Sequence, residues 1–386
     1  MRDCTNQLRV LFFTTAVEHR TFRKTAKMLH RAGVLAKYVG FTRHNYPHAE
    51  DGLETTQLGQ IRHGNYIRRF LAVIRQLPAL RRESKKNDLV YCFSLDALVL
   101  ACLATVGTRV PLVYQVQDIR PILIGAKVKN RLSRLLERMA LARVRHVVVS
   151  SSAYYEHHFK ASYGFPEGSI SVIENKLEHD PVLSNCSIGK IPPIEARPIR
   201  IGYFGMLRCP RSWEILKDAV DRSQGGLELV VRGKPVGIDG FECDIASNSR
   251  IVYGGPYRDP DELDDLYRPV DVVWAAYPYG HGVSGNWQWA RTVRFYEAGA
   301  FGTPMISQAG TQDASVISRY GIGLNVDMAD PRDAVERLLS IGRKELGHWS
   351  KNLRDAPRSL FVHTDEYREL KEKLECLAGG GCDELA

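Results

Sequence analysis

The sequence predicts an α/β protein of two domains, each built on a parallel, doubly wound sheet of the Rossmann-like kind. Three observations carry this. The 386 residues exceed what one hydrophobic core usually organises, while 44% hydrophobic and 25% charged residues is ordinary globular composition. Short β-rich runs alternate with helical patterns along the whole chain, as strands joined by crossover helices must. The alternation breaks at Gly189–Pro198, a stretch with three prolines and no hydrophobic period, which reads as an extended connector.

In the first half, Leu8–Thr14, Ala36–Phe41, Asp88–Phe93, Val110–Val116, His146–Ser150 and Ser171–Glu174 read as strands. Helices fit between them: Thr21–Leu29, stopped at Ala32-Gly33, and Lys129–Ala142, whose apolar residues recur at helical spacing. Beyond the connector, strands are expected at Ile199–Tyr203, Leu227–Arg232, Arg250–Tyr253, Asp271–Ala276, Pro304–Ser307 and Gly323–Val326. The expected domains are therefore 1–190 and 198–355, joined by a linker at 191–197. A last segment, 356–386, holds a charged amphipathic helix at Thr364–Leu377, which packs back towards the first domain, and a disordered tail after Gly379-Gly380-Gly381.

No stretch approaches the roughly 20 consecutive apolar residues of a membrane span, and Met1-Arg2-Asp3-Cys4 lacks a signal-peptide core, so a cytoplasmic chain is expected. The eight cysteines form no CxxC pair and read as incidental free thiols, and no metal site is expected. Charge is uneven: residues 1–190 carry 29 Lys and Arg against 15 Asp and Glu, a net +14, while 191–386 carry 24 against 29. The first half therefore faces something anionic.

Three places in the second half put glycine and a cation at the carboxyl end of a strand, where open α/β sheets bind ligands. In Ile201–Arg208 a strand ends at Gly205, with Arg208 and Arg211 ahead of a helix expected at Trp213–Ala219. Glycine admits close backbone approach, a helix start offers unpaired N–H groups, and arginine is a bidentate phosphate donor. The second turn places Arg232 and Lys234 around Gly233, so the two turns would converge on one diphosphate. In the third, Arg291–Ile306, a helix opening near Thr292 places Arg294 and Glu297 on one side, and a carboxylate there accepts both ribose hydroxyls. The loop Tyr279–Asn286 supplies Gly285 and Asn286 as a backbone cradle, and Tyr257 completes the donor-binding candidates. Each feature alone is common: a strand–glycine–helix turn, a solvated cation pair, a long surface loop. The acidic cluster Asp259–Asp265 reads as a solvated helix with Pro260 in its first turn, and His157-His158 carries no assigned function.

In this order the features resemble the GT-B glycosyltransferases of the large retaining family, glycosyltransferase family 4-like, that acts on bacterial polysaccharides and glycolipids. Arg294–Ile306 is similar to that family's Lys/Arg-x-x-Glu-Ala/Tyr-x-x-x-Gly-x-Pro-Val/Ile signature, with Glu297 on its ribose-holding glutamate. Also similar are Asp271–Tyr277 preceded by Pro260–Tyr267, Val148-Val149-Ser150 with Glu137 upstream, Val172–Asn175, and Gly321–Val326 followed by Ala334–Leu339. Trp289 stands where many members have a second glutamate, Met206 replaces the arginine after the first phosphate glycine, and Gln117-Asp118 stands in place of His-Asp. The resemblance implies two Rossmann-like domains facing a cleft, and transfer of a sugar from a nucleoside diphosphate donor, UDP-sugar favoured and GDP-sugar second. The acceptor is a glycan, glycolipid or lipid-linked molecule. The donor is a co-substrate, and no cofactor is expected.

Such enzymes stabilise the leaving diphosphate with cations and helix dipoles, for which Arg208, Arg232 and Lys234 are the candidates. Retention is implied, and no enzymic base is then compulsory. The rival is inversion, with His19 as general base oriented by Asp118. Competing functions are a sugar-nucleotide epimerase of the same fold and an inactive nucleotide-sugar-binding protein. A dehydrogenase is disfavoured because the first strand runs into Thr14-Thr15-Ala16-Val17-Glu18 without a GxGxxG turn.

The basic half has two amphipathic stretches: Ile61–Lys86, with Ile67, Phe70, Leu71 and Ile74 at helical spacing, and Lys127–Arg145, with seven cations and one acid. Their apolar stripes read either as core packing or as attachment to an anionic cytoplasmic leaflet. Nucleic acid is not an expected partner, since none of the usual binding motifs occurs.

Overall fold

The computed structural model describes residues 7–17, 20–42, 55–60, 74–178, 197–280 and 285–380. The chain forms two compact units, Met1–Glu174 with Asp365–Ala386, and Asn175–Thr364.

The first unit runs β1 (Arg9–Thr14), α1 (Arg20–Arg31), β2 (Leu35–Thr42), β3 (Thr55–Gln60), α2 (Leu77–Ser84), β4 (Leu89–Phe93), α3 (Leu95–Ala104), β5 (Leu112–Val116), α4 (Pro121–Ile124) and α5 (Val128–Leu141). It continues with β6 (Val144–Val149), a helical stretch of α6 (Ser152–Tyr154), a π-helical turn (Tyr155–Lys160) and α7 (Ala161–Tyr163), then β7 (Ile170–Val172). Its sheet is ordered β3-β2-β1-β4-β5-β6-β7, and the pairs are parallel. Strands covered on both faces must be apolar throughout, and β4, Leu-Val-Tyr-Cys-Phe, is buried at every position. Phe12, Phe22, Tyr38 and Tyr91 fill one face, with Phe12 stacked on Tyr38 at 5.5 Å between ring centroids.

The second unit runs β8 (Ile199–Leu207), α8 (Pro210–Arg222), β9 (Leu227–Pro235), α9 (Phe241–Ser247), β10 (Ile251–Tyr253), α10 (Leu263–Tyr267), β11 (Val272–Trp274), α11 (Asn286–Trp289) and α12 (Val293–Ala300). It ends with β12 (Met305–Gln308), α13 (Gln312–Tyr320), β13 (Gly323–Val326), α14 (Pro331–Leu339) and α15 (Arg343–Asp355). Its sheet is ordered β10-β9-β8-β11-β12-β13. The last helix, α16 (Glu366–Gly379), returns to the first unit, where Tyr367, Leu370 and Leu374 join the core with Phe12 and Phe22.

Several elements differ from expectation. β3, Thr-Thr-Gln-Leu-Gly-Gln, is a polar edge strand with no aliphatic run to announce it. α8 opens three residues early because Pro210 suits a first helical turn and the Cys209 thiol caps it, Sγ accepting from the Ser212 amide at 3.4 Å. Pro260 precedes its helix, which begins at Leu263. Of the two readings left open for the α5 stripe, it faces out, while Asn130 and Glu137 are buried. Ile67, Phe70 and Leu71 lie outside the described residues, as do 191–196 of the expected linker. Cys92, Cys102, Cys209 and Cys243 are free, whereas Cys376 is disulfide-bonded.

Candidate functional site

β8 and β9 stay paired to Leu207 and Pro235, beyond the expected strand ends, and this sets Gly205 directly opposite Gly233. Their φ angles are +95° and +135°, and a Cβ on Gly233 would lie 1.8 Å from the Gly205 carbonyl oxygen. Only glycine fits there. The Tyr257 hydroxyl lies 3.7 Å from the place a Gly205 side chain would start, so this tyrosine borders the same turn.

The cations at these strand ends divide into two kinds. Arg232 is tied to its own unit: Nε donates to the Gly255 carbonyl at 3.1 Å, and Nη2 donates to Pro256 at 3.1 Å and to Glu262 at 3.0 Å. It thereby fixes the loop that carries Tyr257. Arg258 above all holds the Glu262 carboxyl below its ordinary range, against desolvation, with Arg232 adding to the lowering. The side chains of Arg208 and Lys234, by contrast, are exposed and make no hydrogen bond or ion pair among the described residues. The Arg208 guanidinium lies 5.7 Å from the centre of the Tyr277 ring. Arg211 lies in the first turn of α8, 3.5 Å from Glu214.

α12 is anchored at its start. The Thr292 hydroxyl caps it, accepting from the Phe295 amide, and Asp313 of α13 accepts from the Thr292 amide at 3.0 Å and its hydroxyl at 2.9 Å. Burial pushes the Asp313 carboxyl upward, and Arg291 at 3.4 Å draws it back. Arg294 then reaches under the sheet, donating to the carbonyls of Phe204 at 3.0 Å and Ala276 at 2.7 Å. It ties α12 to the ends of β8 and the strand beside it.

Glu297, one turn further on, is buried and accepts from the Tyr267 hydroxyl at 2.6 Å. Burial, and secondly the Glu297 charge, raise the Tyr267 hydroxyl well above its ordinary range, so it stays a donor. The small residue Gly299 admits the Phe361 ring, whose nearest atom would be 2.1 Å from an added Cβ. The structure thus gathers Gly205, Gly233, Lys234 and Tyr257 at one strand-end turn, with Arg208 next to it, and places Arg294 and Glu297 on the helix behind.

Gly285 and Asn286 open the short α11, while 281–284 of their loop lie outside the described residues. The preceding residues are held by Tyr279, whose amide donates to Cys209 Sγ at 3.3 Å. Trp289 is buried where the family often has glutamate. In the first unit, Asp118 is exposed at the end of β5 and accepts from the Tyr154 hydroxyl at 3.4 Å. The Gln117 side-chain amide is buried without a partner, and His19 lies outside the described residues.

Sequence reasoning missed Tyr267 and Asp313 as the partners that orient Glu297 and Thr292. Neither has a local signal, because each is brought in from 21 or more residues away. Among the described residues no group of three or more His, Cys, Asp or Glu is placed to hold a metal ion. In the cluster after Arg258, Glu262 pairs with two arginines and Asp264 with Arg268.

Comparison with known proteins agrees with this architecture. A family model described as a glycosyl transferase 4-like domain matches residues 18–176. The succinoglycan biosynthesis protein ExoL of Rhizobium meliloti (strain 1021) is 30% identical over 334 residues, covering 84% of this chain and 82% of ExoL. Among solved structures, Anabaena Alr3699/HepE in complex with UDP matches with a TM-score of 0.67 at 15% identity, over 95% of this chain and 100% of that one. HepE with UDP-glucose matches equally well, with a TM-score of 0.67. Sucrose-phosphate synthase from Thermosynechococcus elongatus reaches 0.72 at 15% identity, over 97% and 100% of the two chains.

The two doubly wound parallel sheets, the glycosyl transferase 4-like match and the likeness to ExoL define an enzyme, a GT-B glycosyltransferase. The chain belongs to the glycosyl transferase 4-like family.

Proposed function

We propose that the enzyme transfers a sugar from a UDP-sugar held by its second unit to a glycan or lipid-linked acceptor, with retention of configuration, in polysaccharide biosynthesis. The observation that carries this is the turn at Gly205 and Gly233, which brings backbone within reach of a ligand and leaves the unpaired cations Arg208 and Lys234 at the ends of adjacent strands. Those cations and the Arg211 amide in the first turn of α8 meet the charge that develops on the departing diphosphate. The donor is a co-substrate and no further cofactor takes part.

Glu297 accepts from the ribose hydroxyls. The bond from Tyr267 orients the carboxylate, which is an acceptor-only group suited to hydroxyl donors. Arg232 and Arg294 hold the loops and strand ends around the donor. HepE was solved with UDP-glucose, which favours UDP, and the name of ExoL favours a polysaccharide product. The excess positive charge of residues 1–190 favours an acceptor presented at an anionic membrane surface on the cytoplasmic side.

Thermal-shift titration against UDP-, GDP- and TDP-sugars tests the reading. UDP-sugars stabilise the wild type, and Glu297→Ala removes the shift; no stabilisation by any of the three sinks the proposal. Epimerised donor formed without acceptor would point to an epimerase, and binding without turnover over a broad acceptor panel to an inactive binding protein.

A further inference from the structure

We infer that the outward face of α5 is the surface by which this transferase docks on an anionic lipid membrane. The inference deepens the proposed function, because it rests on an acceptor presented at such a surface. Val128, Leu132, Leu135, Leu136 and Met139 recur along one side of the 14-residue helix and are between 46% and 82% exposed. Single exposed aliphatic residues need no explanation, but five on one stripe do.

The stripe is not an accident of a loosely held helix, because the opposite face is locked by polar bonds. Asn130 donates to the Ile122 carbonyl at 2.8 Å, and Arg134 donates to Gly125 at 2.7 Å and Leu123 at 3.1 Å. Glu137, fully buried, lies 2.8 Å from His158 Nε2 and accepts from the Tyr163 hydroxyl at 2.5 Å. Rolling the leucines inward would break all of these and carry a buried carboxylate past its partners.

Charge selects the occupant. The side chains of Lys127, Lys129 and Arg131 are exposed and make no hydrogen bond or ion pair among the described residues, Arg138 is also exposed, and the one acid of α5 is the buried Glu137. Apolar side chains enter the acyl boundary while long cationic ones reach up to phosphate headgroups. A second copy of the chain would bring the same cations against each other, which argues against self-association.

The test is co-sedimentation of the full chain with vesicles of phosphatidylcholine alone or with about 30 mol% phosphatidylglycerol. The wild type binds the anionic vesicles and not the neutral ones. The variant Leu132→Ser/Leu136→Ser/Met139→Ser, altered only at exposed positions, keeps its melting temperature and binds roughly a hundredfold more weakly. Lys129→Gln/Arg131→Gln loses about tenfold, and added salt removes the difference. Wild-type sedimentation by the triple variant overturns the inference, as does equal binding to neutral vesicles. A wild-type dimer that the triple variant converts to monomer assigns the face to a second copy and overturns it too. The UDP-glucose thermal shift of the same proteins reads the donor site separately, so a docking failure with the shift intact leaves the transferase reading standing.

Discussion

Replacing Gly233 by alanine tests whether the proposed donor turn is built as described. The new Cβ would lie 1.8 Å from the Gly205 carbonyl oxygen, where real contacts stay beyond 3.0 Å, so β8 and β9 must part by at least 1.2 Å at that point. The neighbours cannot give easily, because the Gly233 amide donates to Gly255 at 2.8 Å and its carbonyl accepts from the Tyr253 hydroxyl at 2.9 Å. A φ of +135° is also foreign to an L side chain. Backbone strain and overpacking each cost about 1–3 kcal/mol, and their middle values together come to about 4 kcal/mol. For a unit of this size that lowers the melting temperature by roughly 8–16 °C. All five tryptophans lie in the second unit, so their fluorescence follows its unfolding selectively. Gly237→Ala is the control: its φ is +66°, but nothing stands within 4 Å of the added atom, and it costs about 1 kcal/mol. Equal melting temperatures for the two variants would refute the steric argument. A Gly233→Ala protein that still takes UDP-glucose with wild-type affinity would show that this turn does not approach the nucleotide.

Two further outcomes follow from buried polar groups. Tyr267→Phe removes the donor to Glu297 and should cost about 1–3 kcal/mol of second-unit stability while weakening the UDP-sugar thermal shift; tryptophan-monitored urea unfolding with no change in midpoint contradicts it. In the first unit, burial and secondly Lys373 hold the His146 imidazole down at about 4 instead of 6.5, with Ser171 Oγ 2.8 Å away. The unfolded chain therefore binds a proton that the folded chain refuses between those values. The stability contribution is complete above pH 6.5 and falls by about 3 kcal/mol as pH drops towards 4. Hydrogen exchange of β6 amides across this range should show the loss, and His146→Asn should flatten it; an unchanged slope in that variant shows that other groups set the acid sensitivity.

Local pattern carried much of the fold. Strands buried on both faces have to be aliphatic runs, so β1, β4, β5 and β8 are visible without any partner, and a Thr cap followed by Arg294–Gly302 announces α12 by itself. The polar edge strand β3 is invisible for the complementary reason: nothing packs on it strongly enough to demand an apolar sequence. The β8–β9 pairing hid its last residues too, since Arg-Gly-Lys-Pro looks like a turn until a facing strand supplies hydrogen bonds.

What the sequence determined by itself was the kind of unit, two parallel αβ sheets, because strand and helix periods repeat at short spacing, and it singled out the residues proposed to meet a phosphate or a ribose. Only the tertiary structure decided how those residues are used. Arg232 and Lys234 are two positions apart and look alike, yet one is bound to carbonyls and a carboxylate from a segment over twenty residues away and the other is open to solvent. The helix α5 has two faces in any conformation. Which one turned inward was settled by His158 and Tyr163, which give Glu137 the partners a buried carboxylate requires.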